Sequence, residues 1–204
     1  MSVARLTRPR PRPPLPPSRI DGTITAELGD VARLTWLVER GFVLAAAADG
    51  NPRLTRAACG LAAAAFWPLL PAALTLQTAL TARPGARYYL TPGRDAVLAV
   101  AVRHDAWHVY CHVAKRPGTG QGRALRALVA PALCAAADAS GTPIEAAALT
   151  PQLARLYQAE FPGVVDRGPA FPQGRRLRRE PQSCRTQRCS SELEETPPPS
   201  TSLS

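Results

Sequence analysis

Between Lys115 and Arg126 the chain reads KRPGTGQGRALR. In front of this loop lies a run that alternates as a β-strand does, AWHVYCHV from Ala106 to Val113, and behind it comes a helical run, RALRALVAPALCAAAD, from Arg123 to Asp138. A strand that hands over to a long helix through glycines places the chain among folds in which a sheet carries helices. Gly118, Gly120 and Gly122 allow the backbone to approach a ligand closely. The helix behind them presents N–H groups without intrahelical partners and the positive end of its dipole. With Arg116 and Arg123 at its margins, this is the outline of a phosphate cradle. The same glycines serve equally well in an ordinary strand-to-helix turn.

The surroundings narrow the fold. After the ARPGAR turn come three strand-like pieces, Arg87 to Leu90, Ala96 to Val102 and Ala106 to Val113, separated by TPGRD and RHD. Those separators have the composition and length of hairpin turns, so an antiparallel meander is expected. Thr142 to Leu149 reads as a further strand, and Pro151 to Ala159 as a short helix with Thr150 as its N-cap, closed by FPG. This order of elements makes an α+β, or mixed α/β, domain. Upstream, Val31, Leu34, Leu37, Val38 and Phe42 recur at helical spacing behind Asp30, and DGNPR from Asp49 breaks the pattern. Ala57 to Ala82 carries no charge and is long enough to span a bilayer. Pro68 and Pro71 divide it into two helices of about 11 residues, which favours a buried helical hairpin; a membrane anchor is the alternative.

A chain of 204 residues has room for one domain, and a hydrophobic content of 46% with aromatics at 5% predicts a helix-rich core of small side chains. The formal charge of +10 is concentrated at the two ends. Residues 1–19, rich in proline and arginine, read as a disordered arm, and 175–204 as a disordered basic tail. Between them, 20–174 forms the single domain, helical over 20–86 and carrying the sheet, loop and helices over 87–168. Arg175, Arg176, Arg178 and Arg179 form a cluster that suits non-specific phosphate contacts to nucleic acid, without interleaved aromatics that would read sequence. Five scattered cysteines give no disulfide framework, which predicts a reducing, cytoplasmic setting. The first 20 residues lack the apolar core of a secretory leader. His108 and His112, four apart on a strand, are expected to share a face with Tyr110 between them. With no third ligand in view, no metal is expected.

PGTGQGRALRALV, the alanine-rich helix, and SGTPIEAAALTPQLARLYQAEFPG resemble the GCN5-related N-acetyltransferase (GNAT) family over about Arg87 to Gly168. The resemblance implies a central, mostly antiparallel sheet with flanking helices and an acetyl-CoA-dependent N-acyltransferase that transfers directly to an amine. It places Gly120 and Gly122 at the family's two glycine positions, with Gly118, Gln121, Arg116 and Arg123 lining the pyrophosphate loop. Val113 and Ala114 fall beside the pantetheine arm. Tyr157 falls at the general acid; as a phenol with a reference pKa near 10 it would carry its proton at neutral pH, although ARLY on an amphipathic helix is also the pattern of a packing tyrosine. His112, His108 and Glu145 are the candidates for a proton relay from the amine. The sequence departs from the family pattern at Pro117, Thr150, Phe161-Pro162 and Pro131, and the family's first strand is not visible before Asp30. A scaffold or nucleic-acid-associated protein with an inactive domain of this fold is therefore the competing function.

Overall fold

The structure is a computed structural model that describes residues 12–49, 51, 53–116, 118–148, 151–170 and 174–182. The expected meander is present as β2 (Ala86–Leu90), β3 (Ala96–Arg103) and β4 (Ala106–Ala114), each antiparallel to the next. β4 feeds α4 (Gln121–Ser140), which crosses over to β5 (Ile144–Ala148), parallel to β4. α5 (Pro151–Glu160) leads to β6 (Val164–Pro169) and β7 (Arg175–Arg179), and β7 inserts between β5 and β6. A two-residue strand, β1 (Ile24–Thr25), completes a seven-stranded, mostly antiparallel sheet in the order β1-β2-β3-β4-β5-β7-β6. The fold is therefore α+β, as the sequence predicts, and a first strand does precede Asp30; two residues are too short to leave an alternating signature.

Both faces of the sheet are covered because its strands alternate apolar side chains to each side. Tyr89, Leu98, Val100 and Trp107 pack with Leu125, Val129 and Leu133 of α4 and with Tyr157 and Phe161 at α5. On the opposite face Tyr88, Leu90, Val97 and Ala99 pack with Leu34 and Leu37 of α1 (Val31–Ala47). Pro131 lies inside α4 without ending it. Pro117, Leu149 and Thr150, to which the sequence assigns a departure, a strand end and a cap, lie outside the described residues.

Three expectations are corrected. The uncharged stretch does form two helices, α2 (Arg53–Phe66) and α3 (Leu70–Thr81), but not a buried hairpin. Gln77 is the one buried residue in α3 and α2 has none among the described residues, while Leu54, Leu61, Trp67, Leu69 and Leu76 are exposed. Among the described residues no single helix is long and apolar enough to cross a membrane; α2 and α3 reach that length together but bend by 104° between them. Second, Arg175–Arg179 is not tail. Leu177 enters the core and the arginines meet acids on neighbouring elements: Arg179 is 2% exposed and pairs in bidentate fashion with Asp138 at 2.7 Å. Arg178 bonds Glu145 at 2.6 Å and Glu180 at 2.7 Å, and Arg175 bonds Asp166 at 2.7 Å. Much of the cluster that reads as a phosphate contact is thus paired within the chain. Third, the end of the arm packs on the sheet: the carbonyls of Pro14 and Pro17 accept hydrogen bonds from Trp107 Nε1 at 2.8 Å and the Tyr89 hydroxyl at 2.6 Å, and Pro16 is buried. Proline carbonyls act here as acceptors for two buried side chains that would otherwise lack one.

Candidate active site

β4 and β5 stay paired for only three residues, Trp107 with Ile144, His108 with Glu145 and Val109 with Ala146. Beyond Ala146, β5 keeps its pairing to β7 while β4 continues toward the glycine loop, so the sheet splits. A bulge in β4 accompanies the split. Val97 pairs with Val113 but Ala99 pairs with Tyr110, which leaves one extra residue in β4, and Cys111 adopts φ 51°. That extra residue reverses the alternation. His108 stays on the side of Tyr110, against which its ring stacks at 6.3 Å, whereas His112 turns to α4 and α5. The two histidines do not share a face as a strict period of two predicts.

A cleft of about 800 Å³ opens at the split. β4 contributes His108 through Ala114, β5 contributes Ala147, and α5 contributes Leu153 and Tyr157. The remaining wall comes from α1, α2, α3 and Tyr88 of β2. Val113 and Ala114 line the opening.

The glycine loop closes on itself at the head of α4. Gly118 and Gly120 take φ 79° and 80°, which side chains other than glycine adopt only with strain. A Cβ on either would meet nothing within 4 Å, so the loop surface is open above them. The Thr119 hydroxyl donates to the Arg116 carbonyl at 2.8 Å, and the Arg116 N–H donates to Gln121 Oε1 at 3.3 Å. Gln121 thus braces the loop from within, while the Arg116 and Arg123 side chains are exposed at its margins. Gly122 has a different reason: a Cβ there would lie 3.0 Å from His112 Nε2. A side chain there would require the His112 ring or the first turn of α4 to give by a few tenths of an ångström.

Under this turn lies a buried polar chain. Arg126, 6% exposed, forms a two-pronged ion pair with Glu160 at the end of α5. Its Nη1 lies 3.2 Å from Nδ1 and 3.1 Å from Nε2 of His112, whose Nε2 is 3.3 Å from the Gly122 carbonyl. Burial and then the Arg126 charge push the His112 pKa down to about 4. The ring is neutral at neutral pH, with Nε2 protonated to donate to Gly122. Tyr157 is 5% exposed, its ring 6.4 Å from His112 and 6.0 Å from Phe161. Burial pushes its phenol up to about 12. Glu145 does not line the cleft; its carboxylate is occupied by Arg178. Among the described residues no group of three His, Cys, Asp or Glu side chains is placed to hold a metal.

Arg126 and Glu160 escaped the sequence reading although one signal was present. Arg126 falls on the same helical face as Leu125, Val129 and Leu133, and an arginine among core positions implies a buried partner. The pair Tyr88 and Tyr110, whose hydroxyls are 3.0 Å apart, and Gln77 were also missed as cleft residues. They belong to three elements far apart in sequence.

No protein-family model matches the chain, and no curated relative matches it. Among solved structures it is similar to the PaiA N-acetyltransferase of Thermoplasma acidophilum in complex with coenzyme A, with a TM-score of 0.50 at 5% identity, over 78% of this chain and 98% of that one. An acetyltransferase from Thermus thermophilus aligns over 78% of this chain and 95% of its own length at 15% identity, with a TM-score of 0.48. The first of these likenesses establishes that the chain has the N-acetyltransferase fold.

Proposed function

We propose that this protein is an N-acyltransferase that uses acetyl-CoA and transfers the acetyl group directly to an amine. The observation that carries this reading is the splitting of β4 from β5 directly in front of a helix whose N-terminus is wrapped by a left-handed glycine loop. A loop of this kind offers backbone N–H groups and a helix dipole to a pyrophosphate, and the cleft beside Val113 and Ala114 offers an extended, apolar channel to the arm that follows. The nearest arginines, Arg116 and Arg123, stand at the rim.

When bound, acetyl-CoA supplies an acetyl thioester. Tyr157 is the group that protonates the departing sulfur: its phenol is held protonated by burial and it lies in the cleft wall. As the new N–C bond forms and the C–S bond breaks, the proton lost by the amine balances the one that Tyr157 delivers. His112, held neutral and engaged with Gly122 and Arg126, is a poor proton acceptor and acts by fixing the start of α4 against β4. Glu145 has no place in this scheme, since Arg178 occupies it.

Calorimetric titration of the purified chain with coenzyme A tests the reading. Saturable binding is expected, and Gly120→Glu is expected to abolish it by setting a carboxylate against the phosphates. Folded protein that gives no heat at high ligand would overturn the assignment. With binding established, Tyr157→Phe should lower turnover by about 10²-fold or more while leaving coenzyme A affinity unchanged.

A further inference from the structure

On its α1 and α3 side the cleft is walled by Val38, Phe42, Ala45, Leu76 and Leu80, and no aspartate, glutamate, lysine or arginine lines the cleft among the described residues. Its polar groups on this side are few: Gln77, the hydroxyls of Tyr88 and Tyr110, the ring of His108, and Thr35, whose hydroxyl donates to the Val31 carbonyl. His108 Nδ1 is the one buried side-chain nitrogen or oxygen among the described residues without a hydrogen-bond partner. The charges felt from behind the wall are mainly positive. Arg83 acts on Tyr88 and Tyr110 and Arg103 on His108, while Arg126, which acts on His112, is itself paired with Glu160. The acids closest to these rings, Glu145 and Glu160, are neutralised by Arg178 and Arg126.

These surroundings discriminate by charge. An ammonium entering the cleft gives up hydration, finds no lining carboxylate and gains nothing from Arg83 and Arg103 behind the wall. Cation–π capture is limited as well, because His108 already stacks on one face of Tyr110 and Tyr88 meets that ring edge-on at 6.0 Å. A carboxylate or phosphate on the acceptor would equally lose its water without gaining a lining cation. A neutral amine on an apolar body loses little hydration and needs one acceptor for its N–H.

We propose that the acceptor of this transferase is a weakly basic amine, uncharged at neutral pH and carried on an apolar body such as an aryl ring, and that His108 receives its N–H. The proposal rests on the acyl-transfer reading above. Burial, followed by Arg103 and opposed by Glu145, holds the His108 imidazole below its ordinary pKa, so the ring is neutral and keeps a lone pair. A half-turn about Cβ–Cγ exchanges Nδ1 with Cδ2, which lets the imidazole present a nitrogen on either edge.

Two isomeric probes isolate the effect of charge: para-butylaniline, neutral at neutral pH, and phenylbutylamine, an ammonium under the same conditions. Each is titrated calorimetrically into the full chain at neutral pH, beside a separate titration with coenzyme A. The aniline is expected to bind one molecule per chain at least about tenfold more tightly than its isomer, and His108→Phe to weaken it by about tenfold without changing coenzyme A affinity. Equal or tighter binding of the ammonium isomer, or binding of neither, overturns the proposal. Unchanged aniline affinity in a folded His108→Phe chain overturns the role of His108. Should that variant fail to fold, the comparison of the isomers on the unsubstituted chain still decides the charge class. Aniline binding without coenzyme A binding would overturn the transferase reading and leave an apolar amine site.

Discussion

Replacing His112 by glutamine tests the electrostatics beneath the glycine loop. In the folded chain the imidazole titrates at about 4 against an ordinary 6.5, first because burial disfavours the charged ring and then because Arg126 lies against it. As pH falls below 6.5 the unfolded chain takes up this proton, while the folded chain does not until about 4. Over that window the unfolded state binds more protons, so stability falls with falling pH. The contribution is complete above 6.5 and is lost as pH drops to about 4. A depression of this size corresponds to about 3 kcal/mol, most of which is gone by pH ~4.5. Glutamine keeps an acceptor for Arg126 and a donor for the Gly122 carbonyl but does not titrate. Urea unfolding of both proteins at neutral pH and at pH ~4.5 reads the difference directly, because carboxylates such as Asp138, also perturbed, cancel in the comparison. The unsubstituted chain should lose about 2 kcal/mol more than His112→Gln between the two conditions. Parallel loss in the two proteins would refute the claim that a neutral, buried His112 abuts Arg126.

Two further substitutions probe neighbouring parts. Asp138→Ala removes the bidentate partner of the buried Arg179 and should destabilise the chain by on the order of 3 kcal/mol in urea unfolding, with Arg179→Met in the same chain recovering part of the loss. Gly122→Ala sets a Cβ 3.0 Å from His112 Nε2, so the buried imidazole or the start of α4 must give; coenzyme A affinity measured by calorimetry should fall by about tenfold, and His112→Ala added to it should restore much of the binding.

What the sequence made legible follows from where each signal is stored. The meander and α4 were visible because alternation, helical spacing and the glycine and proline turns between them are local. The split of β4 from β5 was visible only as a consequence of motif order. β7 was not, since RRLRR carries a single large apolar residue and its arginines look solvated until Asp138, Glu145 and Asp166 are brought to them by the fold. The uncharged stretch from Ala57 to Ala82 misled in the opposite direction: the absence of charge suggested burial, yet Leu61 and Trp67 stand exposed at 73% and 65%. Composition records what a segment lacks, and packing depends on what the rest of the chain sets against it.

The bulge at Cys111 shows how one residue without an obvious sequence signal organises both halves of the site. With a regular β4, His108, Tyr110 and His112 would all face α1 and α3, and Cys111 and Val113 would take the face toward α4. The extra residue instead turns His112 toward Gly122 and Arg126, and leaves His108 and Tyr110 on the side of the apolar wall. One histidine is consequently used up in fixing the glycine loop, engaged at both nitrogens, and the other lines the cleft with a buried nitrogen that has no hydrogen-bond partner. The same local departure occurs where β4 parts from β5, so the opening of the cleft, the placement of the loop and the separation of the two imidazoles share one structural origin. A division of labour between His108 and His112 is therefore imposed by backbone register, and two residues that the sequence presents as equivalent become chemically distinct.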